Sequence, residues 1–268
     1  MSSLSLIFTI VFVFIALFLS KSFRIGLEKD IIIASIRAAV QLLVIGYVLS
    51  FIFDANHPAF IILILFVMLT VASQNVVKKK KQGFKAFFRV FVTLFIVEIL
   101  TQSVMLGLHI IPATPRYIIP VSGMIIGNSM ILANLFLNRL DAEVNRRRDE
   151  IQLILALGGT PQQAIHSILN AAIKASMIPT VESQKTIGLV QLPGMMTGQI
   201  IGGADPIQAV KFQLLIVFTI LASATLSCVI LSQLTYPTLF NSYQQLIREH
   251  TKKKKGDSFL LFLLSSFF

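Results

Sequence analysis

The sequence predicts an all-α, polytopic membrane protein of about seven transmembrane helices, N-terminus outside and C-terminus inside, with one long helical loop in the cytoplasm. Three observations carry this prediction. Of 268 residues, 55% are hydrophobic and only 13% charged, with a mean hydropathy of +0.82; a soluble domain of this size needs more polar surface. Seven segments match or approach the roughly 20 apolar residues that a helix needs to cross a hydrocarbon layer about 30 Å thick. The connections between them alternate between basic and almost uncharged.

The first segment, Leu4–Leu19, has no basic stretch ahead of it and no small-residue cleavage pattern before Lys21. It is expected to stay as a span and not to be removed as a signal peptide. The others are Ile31–Phe53, Ala59–Val77, Ala86–Ile111, Tyr117–Leu137, Ile187–Gly203 and Ile207–Leu234; the first and sixth are short. One set of connections holds Lys21, Arg24 and Lys29, then Lys78–Lys81 and Lys85, then Arg139, Arg146, Arg147, Arg148, Lys174 and Lys185, and finally Arg248 and Lys252–Lys255. The other set holds only Arg116. Basic loops stay on the cytoplasmic side, which fixes the orientation. If the sixth segment only re-enters the membrane, the C-terminal tail changes sides. The net charge of +11 therefore reads as topology signal and contact with anionic lipid, not nucleic-acid binding. The single cysteine, Cys228, excludes an internal disulfide and a CxxC metal site.

This divides the chain into spans one to five (1–138), a cytoplasmic helical section (139–186), spans six and seven (187–240) and a basic tail (241–268). The tail is expected to be a surface helix followed by a solvated basic run. The section Asp141–Pro179 is the longest stretch unsuited to lipid. It reads as two short helices with a stiff elbow. Leu157 precedes Gly158 and Gly159, which stop the first helix; Thr160 is placed as N-cap, Pro161 as the first helical residue and Gln163 as partner in a capping box. The second helix carries Ile165, Ile168, Leu169, Ala172 and Ile173 on one face, with Pro179 limiting its run. Such a face suits docking to another protein, and equally an amphipathic helix lying on the bilayer or packed under the bundle.

Polar residues inside spans mark the other candidates. Glu98 lies near the midplane of the fourth segment, with Thr101 and Gln102 on its face. A lone carboxylate in lipid costs at least ~2.5 kcal/mol and so turns toward protein or water. Arg37 and Gln41 form a second polar stripe; substrate passage, proton handling, a structural ion pair and a snorkelling arginine all fit. Gly123 and Gly127 form a GxxxG beside Asn128, which suits helix packing. In the sixth segment Gly194, Gly198 and Gly202 share one face, and Gln191, Met195 and Gln199 the next. With Pro193 this describes a broken helix lining a pathway, tolerated only where protein or a water cavity satisfies its backbone. Met195 and Met196 offer soft sulfur, although methionines filling a gap explain them as well, since no His, Cys or carboxylate stands beside them. There is no GxxxxGK[ST], HExxH or GxSxG, so neither a P-loop nor a common hydrolase site is present, and no enzyme activity is expected.

The elbow's layout is similar to the coupling loop of ABC permeases. In combination, RAAVQL (Arg37–Leu42), GMIIGNSM (Gly123–Met130), RRDEIQLILALGGTP (Arg147–Pro161) and LPGMMTGQIIGGADP (Leu192–Pro206) resemble the bacterial iron-export permease family (FetB/YbbM), itself similar to a plant aluminium-tolerance permease. The likeness covers roughly Ile31–Leu234. It implies a permease subunit in the bacterial cytoplasmic membrane that binds no cofactor itself and is powered by a separate cytoplasmic ATPase holding ATP and Mg. It implies export of iron and resistance to metal or oxidative stress; the plant relatives imply a nucleotide sugar instead.

On this reading Arg147, Arg148, Glu150, Leu157, Gly158, Gly159, Thr160, Pro161 and Gln163 form the ATPase-coupling elbow. Seven spans enclose no large path alone, so a homodimer is expected. The path would run between copies, with Arg37, Gln41, Glu98, Asn128, Gln191, Met195, Met196 and Gln199 as lining candidates. A secondary transporter driven by an ion gradient through Glu98, and a non-transporting membrane scaffold, are the rival readings.

Overall fold

The computed structural model describes residues 8–55, 57–80 and 83–247. Among them the chain forms nine α-helices: α1 (Ile10–Ser22), α2 (Glu28–Ala55), α3 (Pro58–Lys80), α4 (Phe84–Gly107), α5 (Pro115–Arg146), α6 (Arg148–Ala156), α7 (Pro161–Thr186), α8 (Gly194–Ile201) and α9 (Pro206–Thr235). It divides into two compact units, Met1–Phe60 and Ile61–Phe268. Five helices are long and apolar enough to cross a membrane, within Glu28–Asp54, Pro58–Lys78, Phe84–Gly107, Pro115–Arg146 and Pro206–Leu239. This is a multi-pass helical membrane protein.

In the N-terminal unit α1 and α2 form a hairpin. The turn between them needs positive φ at Arg24 and Gly26. Ser20 pins it: its hydroxyl donates to Glu28 Oε1 at 2.9 Å and accepts from the Leu27 N–H at 3.3 Å. The described part of the first segment is the 13-residue α1; Leu4–Ile7 lies outside the described residues.

The C-terminal unit is built on α5, α7 and α9. Small side chains let them approach: Ala133 on α5, Ala164 and Ala172 on α7, and Ala224 and Cys228 on α9 are all fully or almost fully buried. Lipid tails are as apolar as leucine, so this association rests on close packing more than on removal from water. Serines on α9 pack equally closely because their hydroxyls are satisfied within the helix, Ser227 on the Ser223 carbonyl (2.7 Å) and Ser232 on that of Val229 (2.7 Å). α3 and α4 add Leu69, Val76, Val90 and Leu94 to the same core, around Phe136, Leu140 and Leu231. Along α4, Phe84, Phe87, Phe91 and Phe95 stack in series.

Two sequence expectations change here. The second elbow helix is not stopped by Pro179: α7 runs 26 residues through it to Thr186. The expected sixth span is not a single helix either. Ile187–Pro193 is an irregular break, and only the eight residues Gly194–Ile201 are helical. α7 runs alongside α9 as far as this break. The Gln184 side chain donates to the Val217 carbonyl at 3.0 Å, inside the apolar run of α9. The remaining 11 residues of α9, about 16 Å at 1.5 Å per residue, are flanked by the break and by α8. The stretch is thus discontinuous, α7–break–α8, and α7, interrupted by Gln162, Gln163, His166, Asn170 and Lys174, is not among the helices long and apolar enough to cross a membrane.

Parity survives. The elbow, the N-terminal end of α4 with Lys85 and Arg89, and the end of α9 lie at one end of this unit; Tyr117 against Phe212 marks the other. Lys174 and Lys185, counted above with the long loop, lie on α7. The expected surface helix from Asn241 is a compact turn, described as far as Ile247; Arg248, Lys252–Lys255 and the apolar end of the tail lie outside the described residues.

The buried position of Cys228, facing Ser176 Oγ at 3.6 Å, gives a direct check. Maleimide should fail to label the folded full chain in mild detergent and should label it fully after denaturation.

Candidate functional site

The elbow is held by local chemistry at every step. α6 ends in a Schellman motif: Gly159 N–H donates to the Ile154 carbonyl (2.9 Å) and Gly158 N–H to that of Leu155 (3.1 Å). Gly158 has φ of 86°, a region costly for any residue with a side chain. A Cβ on Gly159 would stand 2.6 Å from Ile154 Cγ2 and 2.8 Å from its carbonyl oxygen. α7 then starts with both halves of a capping box: the Thr160 hydroxyl accepts from Gln163 N (3.3 Å), and Gln163 Oε1 accepts from Thr160 N (2.9 Å). Pro161 follows at the first helical position.

Arg147 joins the two helices. It grips Glu150 with both Nε (2.7 Å) and Nη2 (2.5 Å), and Nη2 also reaches Ser167 on α7 at 3.1 Å. This hydrogen-bonded fork holds the Glu150 carboxyl below the usual carboxylate range and raises Arg147 further. A depressed carboxyl contributes stability that is present above its ordinary pKa and lost as pH falls through the depressed one. The elbow pair is therefore complete at neutral pH and released only in acid. Leu153 and Leu157, 60% and 79% exposed, point away from the core, whereas Ile151 is buried in it.

The second feature is a cleft of about 360 Å³ between α5, α7 and α9, mouthed by the break. Four side-chain amides line it: Asn128, Gln184, Gln191 and Gln213. Gln213 is 8% exposed, and neither its Oε1 nor Asn128 Nδ2 has a hydrogen-bond partner within the described residues. Such buried groups cost free energy unless water or a ligand meets them. The break satisfies its own backbone: the N–H groups of Leu189, Val190 and Gln191 converge on the Thr186 carbonyl, and Gly188 N–H donates to Gln191 O at 3.0 Å.

Of the residues expected in a path, the structure brings Asn128 and Gln191 together in this cleft. It adds Gln184 and Gln213, which sequence reasoning passed over; Gln213, an amide inside a long apolar segment, was the available signal. Glu98 lies elsewhere, 4% exposed, beside the Gln102–Ser122 hydrogen bond of 2.7 Å at the α4–α5 contact; its oxygens are unpartnered among the described residues. Met195, Met196 and Gln199 sit half-buried on α8 without lining the cleft, and Arg37 and Gln41 are exposed on α2 of the N-terminal unit.

The glycines differ too. Gly123 meets Met68 Cε at 3.1 Å from its notional Cβ, a close approach, whereas Gly127, Gly194 and Gly198 have nothing within 4 Å and Gly202 meets only its own helix. Among the described residues, then, Gly127, Gly194 and Gly198 mediate no close helix contact. Among the described residues no group of three or more His, Cys, Asp or Glu could hold a metal ion.

With this geometry in view, comparison with known proteins fixes the family. A model described as "Uncharacterised protein family (UPF0014)" matches residues 3–240. The chain belongs to the UPF0014 family. Similar members include the UPF0014 membrane protein YjkA of Bacillus subtilis, 68% identical over 246 residues (92% of this chain, 98% of that one). The Escherichia coli "Probable iron export permease protein FetB" is 38% identical over 250 residues (93% and 96%). Protein ALUMINUM SENSITIVE 3 of Arabidopsis thaliana is 33% identical over 237 residues (88% and 87%). No solved structure matches this UPF0014 chain.

Two substitutions in this UPF0014 protein separate elbow geometry from ordinary glycine preference. Gly159→Ala should expose Arg146–Arg148 to faster trypsin cleavage, because its Cβ collides with backbone. Gly127→Ala, in open space within a helix, should leave cleavage unchanged. Gln213→Leu should keep or raise the melting temperature, since it removes an unpartnered buried oxygen.

Proposed function

We propose that this chain is the permease subunit of an ABC transporter, powered by a separate cytoplasmic ATPase and exporting iron or another metal in defence against metal or oxidative stress. The observation that carries the proposal is the elbow. A Schellman stop, a capping box and the Arg147 fork make it a stiff piece at the basic, cytoplasmic end of the bundle. α7 runs from that piece directly to the break beside the amide cleft. A push on the elbow reaches the cleft through one helix about 39 Å long. The name of the E. coli relative at 38% identity supports the export of iron.

The working unit is a homodimer. Glu182 and Lys185 form an exposed ion pair (2.7 Å) near the break, level with the apolar run of α9. Charges at that depth turn toward water or protein and not toward lipid tails. A second copy facing this side, with an aqueous path between the two, meets that requirement. The cleft with Asn128, Gln184, Gln191 and Gln213 would open onto the path.

A secondary carrier is favoured by one observation only, the buried and unpartnered Glu98. Reconstituted vesicles decide between the two. With the ATPase and ATP present, iron movement should continue after a protonophore collapses the proton gradient, and Glu98→Gln should retain most of it. Transport that needs the gradient and no ATP would overturn the proposal.

A further inference from the structure

The amide cleft between α5, α7 and α9 restricts the form in which a metal can occupy it. No carboxylate, imidazole, thiol or cationic side chain belongs to its lining. Cys228, Glu182 and Glu98 carry metal-ligating groups, but none of them lines the cleft. Cys228 lies behind Ser176, whose Oγ it meets at 3.6 Å. Glu182 is paired with Lys185 at 2.7 Å. Glu98 is buried at the α4–α5 contact, beside the Gln102–Ser122 hydrogen bond. The polar part of the lining is therefore neutral: the amides of Asn128, Gln184, Gln191 and Gln213 and a few hydroxyls, set among apolar side chains.

An amide has an oxygen that accepts and an NH₂ that donates. Two of the four are half used. Gln184 Nε2 donates to the Val217 carbonyl at 3.0 Å, and Gln191 Oε1 accepts from Ser183 Oγ at 3.4 Å. Gln213 Oε1 and Asn128 Nδ2 are buried and have no partner among the described residues. The first calls for a donor and the second for an acceptor, so an occupant carrying both meets both. A bare divalent or trivalent ion carries no donor. It also needs carboxylate, imidazole or thiolate ligands to replace its water, because neutral amides leave its charge uncompensated in apolar surroundings. The volume, about 360 Å³, equals on the order of twelve water molecules at ~30 Å³ each, far more than one ion fills.

We propose that the cleft holds the metal as an uncharged complex, recognised by hydrogen bonds to the complex's own ligands, and not as a bare ion. This deepens the permease reading above and rests on it for the metal as cargo. Gln213 and Asn128 determine specificity, Gln213 by accepting from an N–H or O–H of the bound ligand and Asn128 by donating to one of its oxygens. No ligand passes from the metal to the protein: the complex enters and leaves intact.

The probe is tris(acetohydroxamato)iron(III), whose hydroxamate anions cancel the metal's charge and leave N–H groups and oxygens on its outside. The full chain in nanodiscs is dialysed to equilibrium against this complex made with radioactive iron. Saturable binding is expected, and neither aqueous manganese(II) nor free acetohydroxamic acid should compete for it. Gln213→Leu should weaken binding about tenfold, with Cys228 still protected from maleimide. Asn128→Ala, which removes the opposite amide, should weaken it likewise. Thr225→Val should leave it unchanged, since the Thr225 hydroxyl is exposed and bonds within its own helix, to Leu221 O at 3.0 Å. Competition by manganese(II) would put a bare ion in the cleft and overturn the inference. Competition by free acetohydroxamic acid as strong as by the complex would make it a site for an uncharged solute without metal, and would also overturn it. Absence of binding, or undiminished binding by both variants with Cys228 protected, would do the same. In each of these cases ATP-driven iron movement in reconstituted vesicles would leave the permease reading standing. Binding as expected, with no ATP-driven movement of iron in any form, would support the cleft assignment and overturn the permease reading.

Discussion

Hydrocarbon offers no hydrogen-bond partner, and that constraint orders the C-terminal unit. A helix can be interrupted inside the bilayer only where the chain or enclosed water satisfies the freed groups. At Ile187–Pro193 the chain does most of this itself, folding three N–H groups onto the Thr186 carbonyl. Beside it the amides of Asn128 on α5 and Gln213 on α9 face a cleft. The break and the cleft are therefore one feature: an irregular backbone survives at this depth because a polar cavity lies beside it.

The same constraint bears on α7, which has one apolar and one polar face. Its buried face, Ala164, Ile165, Ile168, Leu169 and Ala172, packs against α5 and α9, while Gln163, Ser167, Asn170 and Lys174 lie on the opposite, exposed face. In water this would be an ordinary amphipathic helix. In a membrane such a polar face calls for water or protein against it.

The elbow was legible residue by residue, because caps and stops are short-range chemistry. Gly158, Gly159, Thr160, Pro161 and Gln163 act over one turn of chain, so sequence alone assigns their roles. The run of α7 through Pro179 was not legible. Loss of one N–H is affordable where the helix is pinned on two sides, and that pinning is tertiary. Nor was the cleft. Asn128 and Gln191 were visible as polar residues in apolar segments, but Gln184 was assigned to a loop, and Gln213 joins the others only once α9 is placed. The expected glycine face on the sixth span failed for a related reason. A spacing of four marks one face of a helix, but it does not say that another helix lies against that face, and for Gly194 and Gly198 none does within this chain.

Sidedness is the same under two readings of this stretch. A cytoplasmic α7 followed by a full span at Ile187–Gly203, and a single discontinuous crossing made of α7, the break and α8, give the same number of crossings. The elbow and the end of α9 fall on the same side either way, and the turn after α9 agrees with this by packing Phe240 and Leu246 into the core beneath α6. The mechanical consequence is different. A cytoplasmic α7 would have to pass motion through a flexible link into a separate sixth helix. The observed α7 begins in the capping box at the elbow and ends at Thr186, whose carbonyl organises the break. Elbow and break are thus joined by one helix, interrupted only by the internal Pro179, and not by a loop.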